Sequence, residues 1–139
     1  MPLSKNQKAE LIKRVPLFAE CTRAELIELA ISADEREAPE SEGLTVTGRR
    51  GGEFFILVEG TVAVRRGRKL LAELGPGDWF GEIAILTYQP RTATVTTTSP
   101  VRLLVLSDRA FRQVVESSPR VALKVLRSVA ERLEHDARS

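Results

Sequence analysis

The sequence predicts an α+β domain with an antiparallel β middle, a sandwich or barrel, set between helical ends. Three observations carry this. Residues 4–37 hold two capped helical segments. Residues 38–106 hold short alternating or apolar runs punctuated by Gly or Pro every eight to twelve residues. Residues 107–136 return to a helical period. At 139 residues, the whole of 1–139 reads as a single domain with a substantial core.

In the lead-in, Ser4-Lys5-Asn6-Gln7 and Thr22-Arg23-Ala24-Glu25 both have capping-box spacing. Leu11, Ile12 and Val15 form the apolar stripe of the first helix, and Leu26, Ile27, Leu29 and Ala30 that of the second. Pro16 pushes Val15 out of helical geometry, so the first helix stops there and Val15-Pro16-Leu17-Phe18 becomes an apolar corner.

In the middle, Leu44–Thr47, Phe54–Val58, Thr61–Val64, Leu70–Leu74, Thr92–Thr96 and Val101–Leu106 read as strands. Arg65-Arg66-Gly67-Arg68-Lys69 reads as a hairpin turn, its charges a solvated tip. In the tail, Ser107 caps a segment carrying Ala110, Phe111, Val114 and Val115. Ser118-Pro119 is a cap followed by Pro at the first helical position. Val121, Ala122, Val125, Leu126, Val129 and Leu133 then mark one apolar face.

Composition narrows the chemistry. The net charge of +2 is too small to imply nucleic-acid binding. One Cys and one His are too few for a Cys/His zinc site, which argues against a cupin-like metalloenzyme, and no cofactor is called for. Cys21 reads as a structural thiol and His135 as a helix-end residue. No signal peptide or membrane span is visible, so the expectation is a cytoplasmic, non-enzymatic module.

The stretch Gly75–Val95 breaks the strand rhythm. Three glycines lead to about one helical turn starting near Gly81, where free N–H groups suit an anion. Gly81 permits close backbone approach, and Ile83 and Ala84 offer amides. Arg91 follows Glu82 by nine residues and brings a fork of donors, with the Thr92 hydroxyl beside it. A carboxylate next to an anion makes sense if Glu82 accepts from a neighbouring hydroxyl of the same ligand. Anion plus adjacent hydroxyl describes a sugar phosphate. Taken singly, each residue has a plainer explanation: Arg91 and Glu82 as a surface pair, Trp79 and Phe80 as packing, Arg132 as a solvated Arg.

Phe80-Gly81-Glu82-Ile83-Ala84 followed by Pro90-Arg91-Thr92-Ala93-Thr94-Val95 resembles the phosphate-binding cassette of cyclic nucleotide-binding domains. The Val15–Phe18 corner, Phe54–Gly60 and the Ser118-Pro119 helix resemble that family's N-terminal bundle, central strand and lid helix. The resemblance implies an eight-stranded β-roll of jelly-roll type with C-terminal lid helices, and a cassette spanning 80–95. It assigns the ribose 2′-hydroxyl to Glu82, the cyclic phosphate to Arg91 with Ile83, Ala84 and Thr92, and the ribose wall to Gly81. It makes Val129, Arg132 and Leu133 candidate lid contacts, Arg132 by stacking on the purine. It favours cAMP over cGMP, although Thr92 serves either. One departure is Gly51-Gly52-Glu53 where the family commonly has Gly-Asp. No helix-turn-helix or effector domain is apparent, so the output passes through an effector protein, a fused domain or a homodimer. A nucleotide-insensitive scaffold of the same fold is the alternative.

Overall fold

The computed structural model describes residues 2–87 and 90–138, with Ile83 and residues 136–138 described by their backbone alone. Helix α1 (Lys5–Lys13) and helix α2 (Arg23–Ser32) both open with the complete reciprocal capping box, on Ser4/Gln7 and Thr22/Glu25. A 3-10 turn at Pro16–Phe18 joins them, where proline ends the first helix. Strands β1 (Asp34–Ala38), β2 (Gly43–Thr45), β3 (Glu53–Glu59), β4 (Val62–Arg66), β5 (Lys69–Leu74) and β6 (Trp79–Phe80) follow. Helix α3 (Glu82–Thr87), strands β7 (Thr94–Thr97) and β8 (Val101–Ser107), and helices α4 (Asp108–Ser117) and α5 (Pro119–Arg138) complete the chain.

The strands form two four-stranded antiparallel sheets, ordered β1-β8-β3-β6 and β2-β7-β4-β5. Between them lies one apolar cluster that includes Phe55, Leu57, Phe80, Val95, Leu103 and Val105. The opposite faces of β3 and β8 supply Phe54, Ile56, Leu104 and Leu106 to a second cluster beneath the helices. Burial on both faces is why these two strands read as continuous apolar runs. The Val15–Phe18 corner belongs to the second cluster, where the Phe18 ring meets Phe54 at 5.7 Å and Phe111 at 6.2 Å. Among the described residues, no helix is long and apolar enough to cross a membrane.

Several sequence-based boundaries need correction. The helical lead-in does not run to residue 37: Asp34–Ala38 is a strand paired with β8. Its run Asp34-Glu35-Arg36-Glu37 carries no apolar alternation because it is a mostly exposed sheet edge, protected by charge. The basic hairpin tip shrinks to Gly67-Arg68, since β4 extends through Arg66 and Gly67 takes φ +60°. The strand expected at Leu44–Thr47 ends at Thr45, and that at Thr92–Thr96 begins only at Thr94.

Candidate functional site

The cassette is built outward from β3. The Gly75–Asp78 turn is closed by the Asp78 carboxylate accepting from Gly75 N at 2.9 Å. It is latched to β3 by Leu57 N donating to Asp78 O at 2.9 Å and Gly77 N to Leu57 O at 2.8 Å. Strand β6 then pairs with β3, Phe80 opposite Phe55, and their rings stack at 4.7 Å. Directly after it, Gly81 adopts φ +103° against the β3 backbone. A Cβ there would stand 2.5 Å from Glu53 O and 2.9 Å from Arg91 Nη1, so glycine is required by both conformation and space.

Glu82 begins α3 and is completely buried, and Arg91 is 7% exposed. The Arg91 guanidinium donates to Gly81 O at 3.0 Å and Glu53 O at 2.8 Å, one bond from each terminal nitrogen. Those two carbonyls fix the plane of a group with five donors. Burial pulls Arg91 below its ordinary range, while the charges of Glu53 and Glu82 act the other way. The loop before β3 braces it further: Arg91 N donates to Arg49 O and Gly48 N to Arg91 O. Arg66 Nε donates to Thr92 O at 3.0 Å, tying β4 to the same segment. On the far side, Arg112 of α4 donates to Ile85 O at 2.9 Å, fixing α3.

These residues border a cavity of about 360 Å³, a volume in the range of small-molecule sites. Gly81, Glu82, Ala84, Arg91 and Thr92 line it together with Arg132. Five of the six cassette residues singled out in the sequence therefore converge on one cavity. Ile83 contributes backbone at the second position of α3, and Tyr88 and Gln89, between α3 and Arg91, lie outside the described residues. Thr92 is exposed at the rim.

The expectation of a solvated Arg132 is overturned. Its Nη1 donates to Glu82 Oε1 at 2.7 Å, its Nη2 to Trp79 O, and its guanidinium lies 5.0 Å from the Trp79 ring centre. The acceptors are available because β6 and the start of α3 both face α5 at this point. Of the other lid candidates, Val129 packs partly buried against the helical core, whereas Leu133 is half exposed. Glu82 Oε2 and Trp79 Nε1 are both buried without a hydrogen-bond partner.

Other contributors escaped the sequence reading. Gly51 lies so close behind Arg91 that a Cβ would stand 2.5 Å from its Nε. The signal was the Gly51-Gly52-Glu53 departure from the family pattern, to which the sequence reading attached no site role. Helix-end His135 lines the cavity and approaches Leu71 O of β5 at 3.3 Å. Cys21 matches its structural role, with burial and the Glu25 charge pushing its thiol up to about 12. Among the described residues, no group of three His, Cys, Asp or Glu could hold a metal ion.

Comparison with known proteins agrees with this geometry. Residues 35–118 match the model of the cyclic nucleotide-binding domain. The chain is 38% identical over 110 residues to the cAMP-dependent protein kinase regulatory subunit of Mycosarcoma maydis, covering 73% of this chain and 21% of that protein. It is 35% identical over 123 residues to a cyclic nucleotide-gated potassium channel of Mesorhizobium japonicum, covering 88% and 34%. Its fold superposes on cAMP-bound PfPKA-R with a TM-score of 0.85 at 21% identity, over 94% of this chain and 45% of that one. The chain thus spans between a fifth and a third of these two curated relatives. It belongs to the cyclic nucleotide-binding domain family.

Proposed function

We propose that the cavity binds a 3′,5′-cyclic nucleotide, cAMP in preference to cGMP, and that the chain acts as a regulatory module with no catalytic role. Arg91 and the Ile83 and Ala84 amides hold the cyclic phosphate, Glu82 accepts from the ribose 2′-hydroxyl, and Gly81 lines the ribose. The observation that carries this reading is the state of Glu82: a fully buried carboxylate whose Oε1 is held by Arg132 and whose Oε2 has no partner. A buried acceptor left unsatisfied costs about 1–3 kcal/mol, which a ligand hydroxyl would offset. The preference for cAMP rests on the relative named for its dependence on cAMP.

Binding in this reading works by population shift. A hydroxyl on Oε2 leaves Oε1 to Arg132, so the filled pocket reinforces the contact that holds the C-terminal half of α5 over the cavity. The lid is therefore α5 itself, with Arg132 acting through Glu82 and Trp79, and an effector, fused domain or second copy reads its position.

A nucleotide-insensitive scaffold remains the second reading. It is favoured by one observation: Arg91 and Arg132 already have acceptors within the protein. Calorimetric titration with cAMP and cGMP, using Arg91→Lys as control, separates the two. Heat from cAMP that Arg91→Lys largely abolishes supports the nucleotide reading; no heat from either nucleotide refutes it.

A further inference from the structure

Two loops outside the pocket concentrate unpaired positive charge. The loop after β2 holds Arg49 and Arg50, and the β4–β5 hairpin holds Arg65, Arg68 and Lys69, all five exposed. Among the described residues, none of these five side chains has a hydrogen-bond or ion-pair partner. The register sets the two loops side by side. Thr94 of β7 pairs with Arg65 of β4 on one side, and on the other its hydroxyl meets the Thr47 hydroxyl at 3.0 Å. Farther along, Gly48 N donates to Arg91 O, Arg91 N to Arg49 O, and Arg66 Nε to Thr92 O. The loops thus flank residues 91–94, about 10 Å apart at roughly 4.8 Å per strand. That separation is close to the Debye length of about 10 Å in 0.1 M salt, so both sets of cations act on one partner.

This charge has no local compensation. Segments 44–52, 62–72 and 90–99 contain no Asp or Glu. Glu53 and Asp108, which border the first loop, are engaged by Arg36 and Arg112. Without these five cations the net charge of +2 becomes −3, so the chain is polarised rather than uniformly basic. Apolar side chains lie among the cations. Val46 and Leu70, 39% and 42% exposed, are two of the six large apolar residues exposed among the described residues. Leu70 stands opposite Arg65 in the β4–β5 register, so the two share a face. Leu71 lines the cavity, which turns its neighbour Leu70 outward.

We propose that the Val46–Arg50 loop and the β4–β5 hairpin form a docking surface for an anionic lipid bilayer, the cations at the phosphates and Val46 and Leu70 in the interface. A headgroup layer offers both negative charge and apolar depth, which matches cations with aliphatic side chains between them. The backbone of a nucleic acid takes up the cations alone. Single strands are held by aromatic stacking, and none of the six exposed apolar residues is aromatic. The docked bilayer then lies beside Thr92 at the cavity rim.

Vesicle co-sedimentation tests this on the whole chain. Vesicles of phosphatidylcholine with phosphatidylglycerol should carry the protein down, vesicles of phosphatidylcholine alone should not, and added salt should release it. Each cation strengthens binding to an anionic surface about fivefold, so Arg65→Glu with Arg68→Glu should weaken partitioning by more than about 25-fold. Arg49→Glu with Arg50→Glu should do the same from the other loop. All four positions are exposed, so the thermal midpoint should not move. Insertion is read by a polarity-sensitive dye on Leu70→Cys, with which buried Cys21 does not compete. A blue shift on the anionic vesicles supports the bilayer. Protein that stays in the supernatant with anionic vesicles, or that pellets equally when either pair is reversed, overturns the surface. A dye that stays unshifted, or tighter binding to a DNA duplex than to the vesicles, overturns the lipid assignment.

Discussion

The Arg132–Glu82 contact makes a prediction whose sign depends on background. Glu82 is completely buried and its carboxylate is held by Arg132, whose side chain is 30% exposed. Removing one member of a buried ion pair typically costs about 3–5 kcal/mol, because the other charge is left uncompensated. The partial exposure of Arg132 lets water reach the vacated space, so Arg132→Ala should cost near the low end, about 3 kcal/mol. Glu82→Gln keeps the shape and removes the charge. In the wild-type background it weakens the bond to Arg132 and should destabilise by about 1–2 kcal/mol. In the Arg132→Ala background it relieves an unpaired buried carboxylate and should stabilise. Urea unfolding supplies the numbers, followed by circular dichroism and by the fluorescence of Trp79, the only tryptophan of the chain. That indole lies against Arg132, so its native signal should also shift in Arg132→Ala. If Glu82→Gln destabilises equally in both backgrounds, the two residues are not coupled and α5 is not held through Glu82.

Glu82→Ala should weaken cAMP binding and lose most of the discrimination against a 2′-deoxy analogue; full additivity of the two losses would mean that Glu82 does not contact that hydroxyl. Gly81→Ala should destabilise by more than about 2 kcal/mol, since φ +103° and the 2.5 Å approach to Glu53 O both oppose a Cβ; a neutral result in urea unfolding would contradict the packing. The Cys21 thiol, raised from 9.0 to about 12, binds its proton more tightly in the folded state, so its contribution to stability is complete below pH 9 and lost as pH rises toward 12. The thiol should stay unreactive to a disulfide reagent at pH 8 until urea unfolds the chain; prompt labelling of native protein would show the burial to be wrong. Hydrogen exchange with and without cAMP should show protection gained in 81–92 and in 129–134 together, and protection confined to the first segment would remove the lid.

What the sequence made legible is what local chemistry dictates. Both capping boxes, the proline stop at Pro16 and the two-sided apolar strands were readable because each depends on residues within a few positions. Gly81, Glu82 and Arg91 were readable as a combination, since a glycine approach, a carboxylate and a guanidinium at that spacing rarely coincide by chance. Strand β1 was not, because Asp34–Glu37 pairs with β8 some 67 residues later and its side chains are mostly in water. Strand β6 has two residues and exists only through its bonds to β3. Arg132 was legible as a candidate lid contact, but its partner Glu82 was not, for the same reason. Fifty residues separate it from Glu82, and a helical period assigns a face without saying what lies beneath it.

In the proposed reading, the pocket is coupled to the rest of the chain through the C-terminal half of α5. Its inner face is tied to the pocket by Arg132, which reaches Glu82, the Trp79 carbonyl and the Trp79 ring at once, and by His135, which approaches Leu71 O. The N-terminal half is anchored by Val121 and Val125 in the core and does not depend on those contacts. Loss of the Arg132 contact should, in this reading, loosen the end of the helix while its start stays docked, leaving Val129 and His135 among the remaining contacts of that half. A ligand hydroxyl that holds Glu82 in place, as the same reading has it, favours the docked helix. Ligand binding and helix docking then strengthen each other by the same factor. Arg132→Ala should therefore weaken cAMP binding, and saturating cAMP should protect the amides of 129–134 in the wild type but not in Arg132→Ala. Equal protection of that segment in both proteins would mean that Arg132 does not couple the helix to the pocket.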